Sequence, residues 1–92
     1  MKRQSLVIWN DAKASLDEYR TSEVEAFHRP TVVHTYGYIV RKDDGGITIA
    51  AEWIPARDGD EDTYRSVSFI PAGMIVEVRP SRKRNKPEPA AP

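Results

Sequence analysis

Two histidines, four tyrosines, two tryptophans and no cysteine are the chemical means of this 92-residue chain. Without a thiol there is no thiolate nucleophile, no disulfide frame and no cysteine-held metal. No serine stands in a nucleophile elbow, and no glycine-rich loop leads into Lys-Ser or Lys-Thr to cradle a phosphate. His28 and His34 lie on either side of Pro30, one ending a helical stretch and the other on a strand. A histidine paired with a carboxylate does acid–base work, yet the sequence gathers no polar cluster around His34. Asp58-Gly59-Asp60-Glu61-Asp62 alternates carboxylates as calcium loops do, but such a loop needs glycine at its sixth position and glutamate at its twelfth. Thr63 and Phe69 occupy those places, so the segment reads as a solvated acidic loop. The sequence therefore assigns no catalytic residue and no metal ligand, and the expectation is a non-enzymatic protein without a cofactor.

The residues best suited to recognition share one strand. His34, Tyr36 and Tyr38 alternate along it, Arg41 and Lys42 follow at its end, and Trp9 and Trp53 belong to other strands. Exposed aromatics on a small β body make a stacking platform, each stacked base contributing about 1–3 kcal/mol. The two cations would then meet phosphates. The other reading is packing, in a core or a subunit interface, because a small body needs its large residues inside. Both readings stand at this level.

Charge divides the chain. Lys and Arg number 14 and so do Asp and Glu, for a formal net charge of zero. Residues 1–79 carry 10 basic and 13 acidic side chains, a net of −3. The final 13 residues oppose Arg82, Lys83, Arg84 and Lys86 to Glu88 alone, a net of +3. Four of those 13 are proline and none is a large apolar residue, so this end cannot recover its ordering entropy by burial. We read residues 1–79 as the folded domain and 80–92 as a disordered basic tail. The tail suits a polyanion, bound electrostatically and without sequence information, or simply keeps the chain in solution. The acidic body itself repels phosphate at long range.

Five strands must position these groups. Leu6-Val7-Ile8-Trp9, closed by Asn10-Asp11, gives a strand over residues 5–10. Between residues 11 and 28, Ser15…Glu18 and Ser22…Glu25 each match a capping box, predicting short helical turns that end before Pro30. Residues 31–41 form the longest strand, with Val33, Thr35, Gly37 and Ile39 on one face and Val32, His34, Tyr36, Tyr38 and Val40 on the other. Gly37 at its middle predicts a bend or bulge. Asp43-Asp44-Gly45-Gly46 is a hairpin turn, tolerant of positive φ. The returning strand, 47–53, is expected to turn Ile47, Ile49, Ala51 and Trp53 inward. Strands over 64–70 and 74–79 follow, separated by Pro71-Ala72-Gly73. Five closely spaced strands joined by tight turns predict an all-β, five-stranded antiparallel small barrel, with a short helical segment between its first two strands.

The run Val33-His34-Thr35-Tyr36-Gly37-Tyr38-Ile39-Val40, through Asp43-Asp44-Gly45-Gly46 to Ile47-Thr48-Ile49-Ala50, resembles the first half of an Sm-like barrel of the Lsm and Hfq type. Val67-Ser68-Phe69-Ile70-Pro71-Ala72-Gly73-Met74-Ile75-Val76-Glu77-Val78 resembles the second half, where a single helical turn separates two short strands. The order Val7-x-Trp9-x-Asp11-Ala12, Gly37-Tyr38-Ile39-Val40, Ile70-Pro71-x-x-x-Ile75 is also similar to small proteins of bacteriophages and prophages. RNA-binding Sm and Hfq chains carry Asp…Asn or Arg-Gly pairs in their loops, and their helix precedes the first strand. Here those loops read Asp43-Asp44-Gly45-Gly46 and Pro71-Ala72-Gly73, and the helical segment follows the first strand.

The resemblance implies a homo-oligomer, since Sm-like barrels pair edge strands between subunits. The segment 64–70 fits such an edge, with Arg65 its one charged residue. The expected partners are a second copy of the chain, a nucleic acid or nucleotide, or another protein in a larger assembly. No window approaches the ~18 apolar residues of a membrane span. The basic start Met1-Lys2-Arg3 leads into an apolar run of only four residues, short of a signal peptide. A cytoplasmic, phage-associated setting is the expectation.

Overall fold

In a computed structural model that describes residues 3–80, five antiparallel strands form one continuous sheet in the order β4-β3-β2-β1-β5. The strands are β1 (Ser5–Asp11), β2 (Thr31–Asp43), β3 (Gly46–Ile54), β4 (Thr63–Pro71) and β5 (Ile75–Pro80). One helix, α1 (Thr21–Phe27), stands between β1 and β2, and a 3-10 turn, Ala72–Met74, joins β4 to β5. The all-β, antiparallel, five-stranded expectation holds. The sheet is open: β4 pairs only with β3, and β5 only with β1. The tail residues Arg82, Lys83, Arg84 and Lys86 lie outside the described residues, as does almost all of the expected 80–92 segment.

β2 serves two partners in succession. Its first half pairs with β1, from Asp11↔Thr31 to Ser5↔Gly37, and its second half pairs with β3, beginning at Tyr38↔Ala50. The handover falls at Gly37, which is buried. A Cβ there would collide with the carbonyl oxygen of Ala50 and lie 3.1 Å from Ile49 Cγ1. A side chain of any size would force the two strands apart. Gly46 is a second close approach: at φ 151° its missing Cβ leaves room for the Ile70 carbonyl and the Phe69 ring.

One face of this open sheet carries the core. Val7, Ile47, Ile49 and Ile70, from β1, β3 and β4, make one buried cluster. Trp9, Ile39, Met74, Ile75 and Val78 pack around it, and each fully buried aliphatic contributes roughly 1.5–3 kcal/mol. The Trp9 indole donates to Thr35 Oγ1 at 2.9 Å, which satisfies the polar end of a half-buried ring. Ala72 N–H donates to the Gly45 carbonyl at 3.0 Å, tying the 3-10 turn to the β2–β3 hairpin.

Three expectations are corrected. Ala51 is exposed and Ala50 is buried, because Ala50 is the residue pressed against Gly37. Met74 closes the 3-10 turn and does not open the last strand. Neither serine capping box starts a helix. The Glu23 carboxylate instead accepts the Arg20 N–H at 2.8 Å, so α1 begins one residue after Arg20. Ser15 Oγ accepts the Asp17 amide at 3.1 Å, a local turn that competes with helix.

Gly37→Val is expected to destabilise the fold by about 1–3 kcal/mol or more, measured as a shift in the denaturation midpoint. Gly73→Ala is the comparison, because nothing lies within 4 Å of a Cβ at that position. It should stay within about 0.5 kcal/mol. An unchanged midpoint for Gly37→Val would contradict the close approach.

Candidate functional site

The inward face of the sheet is used by the core, which leaves its outward face to carry the candidate residues. Directly opposed residues of an antiparallel pair share a face, and the register therefore places each candidate. His34 opposes Ile8, Tyr36 opposes Leu6, and Tyr38 opposes Ala50. All three stand on the outward face of β2. His34 is exposed, Tyr36 is 58 % exposed and Tyr38 is half-buried. The core reading of His34 and Tyr36 is thereby set aside.

Beyond Tyr38 the strand slips. Ile39 pairs with Ile49, but Arg41 pairs with Thr48, so Val40 is an extra residue in the ladder. A one-residue bulge exchanges the faces of everything after it. Arg41 thus joins Tyr38 on the outward face, and Lys42, opposite the core residue Ile47, goes to the other. Strict alternation would give the reverse. The outward strip of β2 is therefore Val32, His34, Tyr36, Tyr38 and Arg41, with Lys42 left out.

The strip has neighbours on both sides. Across β3, Thr48 opposes Phe69 and Ala50 opposes Val67, which puts Arg41, Thr48 and Phe69 in one row and Tyr38, Ala50 and Val67 in the next. Of the β3 residues in these rows, Thr48 is half-buried and Ala50 is buried. Phe69 is 60 % exposed and Val67 53 %. Neither was singled out from sequence, although their alternation along segment 64–70 was the available signal. On the other flank Arg79 opposes Leu6 in the row of Tyr36, and Glu77 opposes Ile8 in the row of His34.

The two tryptophans do not join the strip in the same way. Trp9 lies with the core. Trp53 makes a tilted ring contact with Tyr38, centroids 5.7 Å apart, and donates its indole N–H to Asp62 at 3.0 Å. Asp62 also accepts the Ala56 amide at 2.8 Å. One member of the acidic loop thus has the structural task of closing it and fixing the Trp53 ring. Among the described residues no three His, Cys, Asp or Glu side chains are grouped to hold a metal ion.

Arg41 is partly committed. Its Nε lies 3.3 Å from Asp43 Oδ2, and the other carboxylate oxygen of Asp43 accepts the Gly45 amide at 2.9 Å. The Gly45 amide first, and the Arg41 guanidinium second, hold the Asp43 carboxyl below its ordinary value of 3.8. The stability this gives the turn is complete above that ordinary value. It is lost as the pH falls through the lower folded value. An NMR titration should place the Asp43 midpoint below 3.8. Arg41→Ala should raise it only part of the way, because the larger cause is the amide. A wild-type midpoint at or above 3.8 would contradict this arrangement.

No helix among the described residues is long and apolar enough to cross a membrane. Compared with known proteins, the chain matches no family model, no curated protein and no solved structure.

Proposed function

We propose that the chain is a non-enzymatic binding module, a small Sm-like β-roll that assembles with copies of itself and offers the outward face of β2 to a nucleic acid or nucleotide-like ligand. Support for the Sm-like part comes from the strand order, the close approach of β2 to β3 at Gly37 and the 3-10 turn between β4 and β5. The position of α1, after β1, is its departure from that pattern. The likeness of the β1, β2 and β5 motifs to phage and prophage proteins supports a phage-associated, cytoplasmic setting.

One observation carries the ligand reading. His34, Tyr36, Tyr38 and Arg41 fall on one outward face of a single strand, and the bulge at Val40 is what brings the cation there. Flat rings beside a guanidinium are what stacked bases and their phosphates require. Titration of the full chain with an oligothymidylate should show Tyr36→Ala weakening binding by about 1–3 kcal/mol per lost stack. Folding stability should stay within about 0.5 kcal/mol, as suits an exposed side chain. Unchanged affinity would remove the strip from the interface.

Self-association rests on the two open edges. β4 and β5 each leave one backbone edge without a strand partner among the described residues. Phe69 on β4 and Val76 on β5, the latter 58 % exposed, add apolar surface beside them. Pairing one copy's β4 with another's β5 satisfies both edges at once. Light scattering should give a mass above the 10.4 kDa of one chain, and a monomer at high micromolar concentration would contradict it. The exposed Val67 and Phe69 also favour a second reading, an adaptor whose apolar face docks another protein. In that case nucleotides would have no effect on thermal stability, whereas a bound ligand raises it.

A further inference from the structure

The excursion from residue 12 to residue 30 holds a second feature, separate from the β2 strip. Between the end of β1 and the start of β2 lies a shallow, open depression of about 460 Å³. Ala12, Lys13, Phe27, His28, Arg29 and Pro30 line it. Three of those six side chains are basic nitrogen groups and none is acidic. Phe27 is the half-buried floor, with the Lys13 ammonium 4.7 Å above its ring centroid and Tyr19 packed at 5.2 Å. That cation–ring contact fixes where the ammonium stands.

The backbone here is also held. His28 N–H donates to the Glu25 carbonyl at 3.3 Å, and Arg29 N–H donates to the Phe27 carbonyl at 2.7 Å. These two bonds turn consecutive residues around the end of α1 and set His28 and Arg29 beside the ring. The ion pairs of the described residues are Arg41–Asp43, Arg65–Glu52 and Arg79–Glu77, so Lys13 and Arg29 have no carboxylate partner. Beside this depression the Asp11 Oδ1 accepts the Ala12 amide at 2.8 Å. Glu18 and Glu23, with Tyr19 and Arg20, line a different depression of about 380 Å³.

We infer that the Lys13–Phe27–His28–Arg29 depression is an anion site that takes phosphate groups. Its open, shallow form suits a phosphate carried on a larger molecule, a nucleic-acid backbone or a nucleotide, better than an enclosed small ion. Two unpaired cations and an imidazole on a fixed backbone supply charge-assisted donors. A purely structural alternative is that the cations offset the carbonyl end of α1.

NMR shift mapping of the full chain separates these. With inorganic pyrophosphate as probe, the amides of Lys13, His28 and Arg29 should move together and saturate. In Lys13→Ala/Arg29→Ala those shifts should be lost and the affinity should fall at least tenfold. Tyr36→Ala should leave pyrophosphate binding unchanged, which keeps this test apart from that of the β2 strip. With an oligothymidylate, removing the two cations should lower the slope of log K against log salt by about 1.4. Tighter binding of the oligonucleotide than of AMP assigns the site to a backbone, and equal affinity assigns it to free nucleotides; either supports an anion site. If neither probe moves these amides, or if the double variant binds as the wild type does and only loses helix stability, the cations are structural and the inference fails.

Discussion

At Gly37 the backbone of β2 lies directly against the carbonyl of Ala50, and no side chain fits between them. The rest of the molecule depends on that contact. The two halves of β2 take different partners, and Val7 of β1 meets Ile47, Ile49 and Ile70 of β3 and β4 in one cluster. A chain of this size has few other ways to enclose apolar surface. At the ends of the sheet β4 and β5 each keep one edge without a strand partner among the described residues.

A second, smaller irregularity decides the chemistry of the outward face. The extra residue Val40 costs β2 one rung of its ladder and in return rotates Arg41 to the side of Tyr36 and Tyr38. Without it the aromatic strip would carry the cation of Lys42, whose ammonium is a point charge. A guanidinium, planar and able to stack, is the better companion for rings and phosphates. The salt bridge to Asp43 holds that side chain near the hairpin at little energetic gain, because both groups are exposed.

Much of this was legible. The alternation of β2, the Asp44-Gly45 turn and the five strands follow from period-two patterning and turn chemistry, which are local. Gly37 was readable as a special position because a glycine amid β-branched and aromatic neighbours needs a steric reason, and the structure shows it to be a close approach to Ala50, with the bulge falling at Val40 instead. The errors came where two local rules compete or where a partner strand decides. Ser22…Glu25 satisfies the capping-box spacing, yet Glu23 reaches the Arg20 amide first and starts α1 earlier. The Val40 bulge is a matter of register with β3, invisible along β2 alone, and it moved Lys42 out of the expected site. Ala50 and Ala51 have the same side chain, and only the position of Gly37 selects which is buried. The basic depression joins Lys13 to Arg29 across 16 positions of sequence, a proximity that no spacing rule signals.

The handover of β2 at Gly37 is the central claim, and backbone NOEs in the isotopically labelled protein test it most directly. Cross-strand contacts are expected from residues 31–37 to β1 alone on one edge, and from residues 38–43 to β3 on the other, with the Gly37 α protons close to Ala50. Contacts from both halves of β2 to the same strand, with Gly37 remote from Ala50, would contradict it.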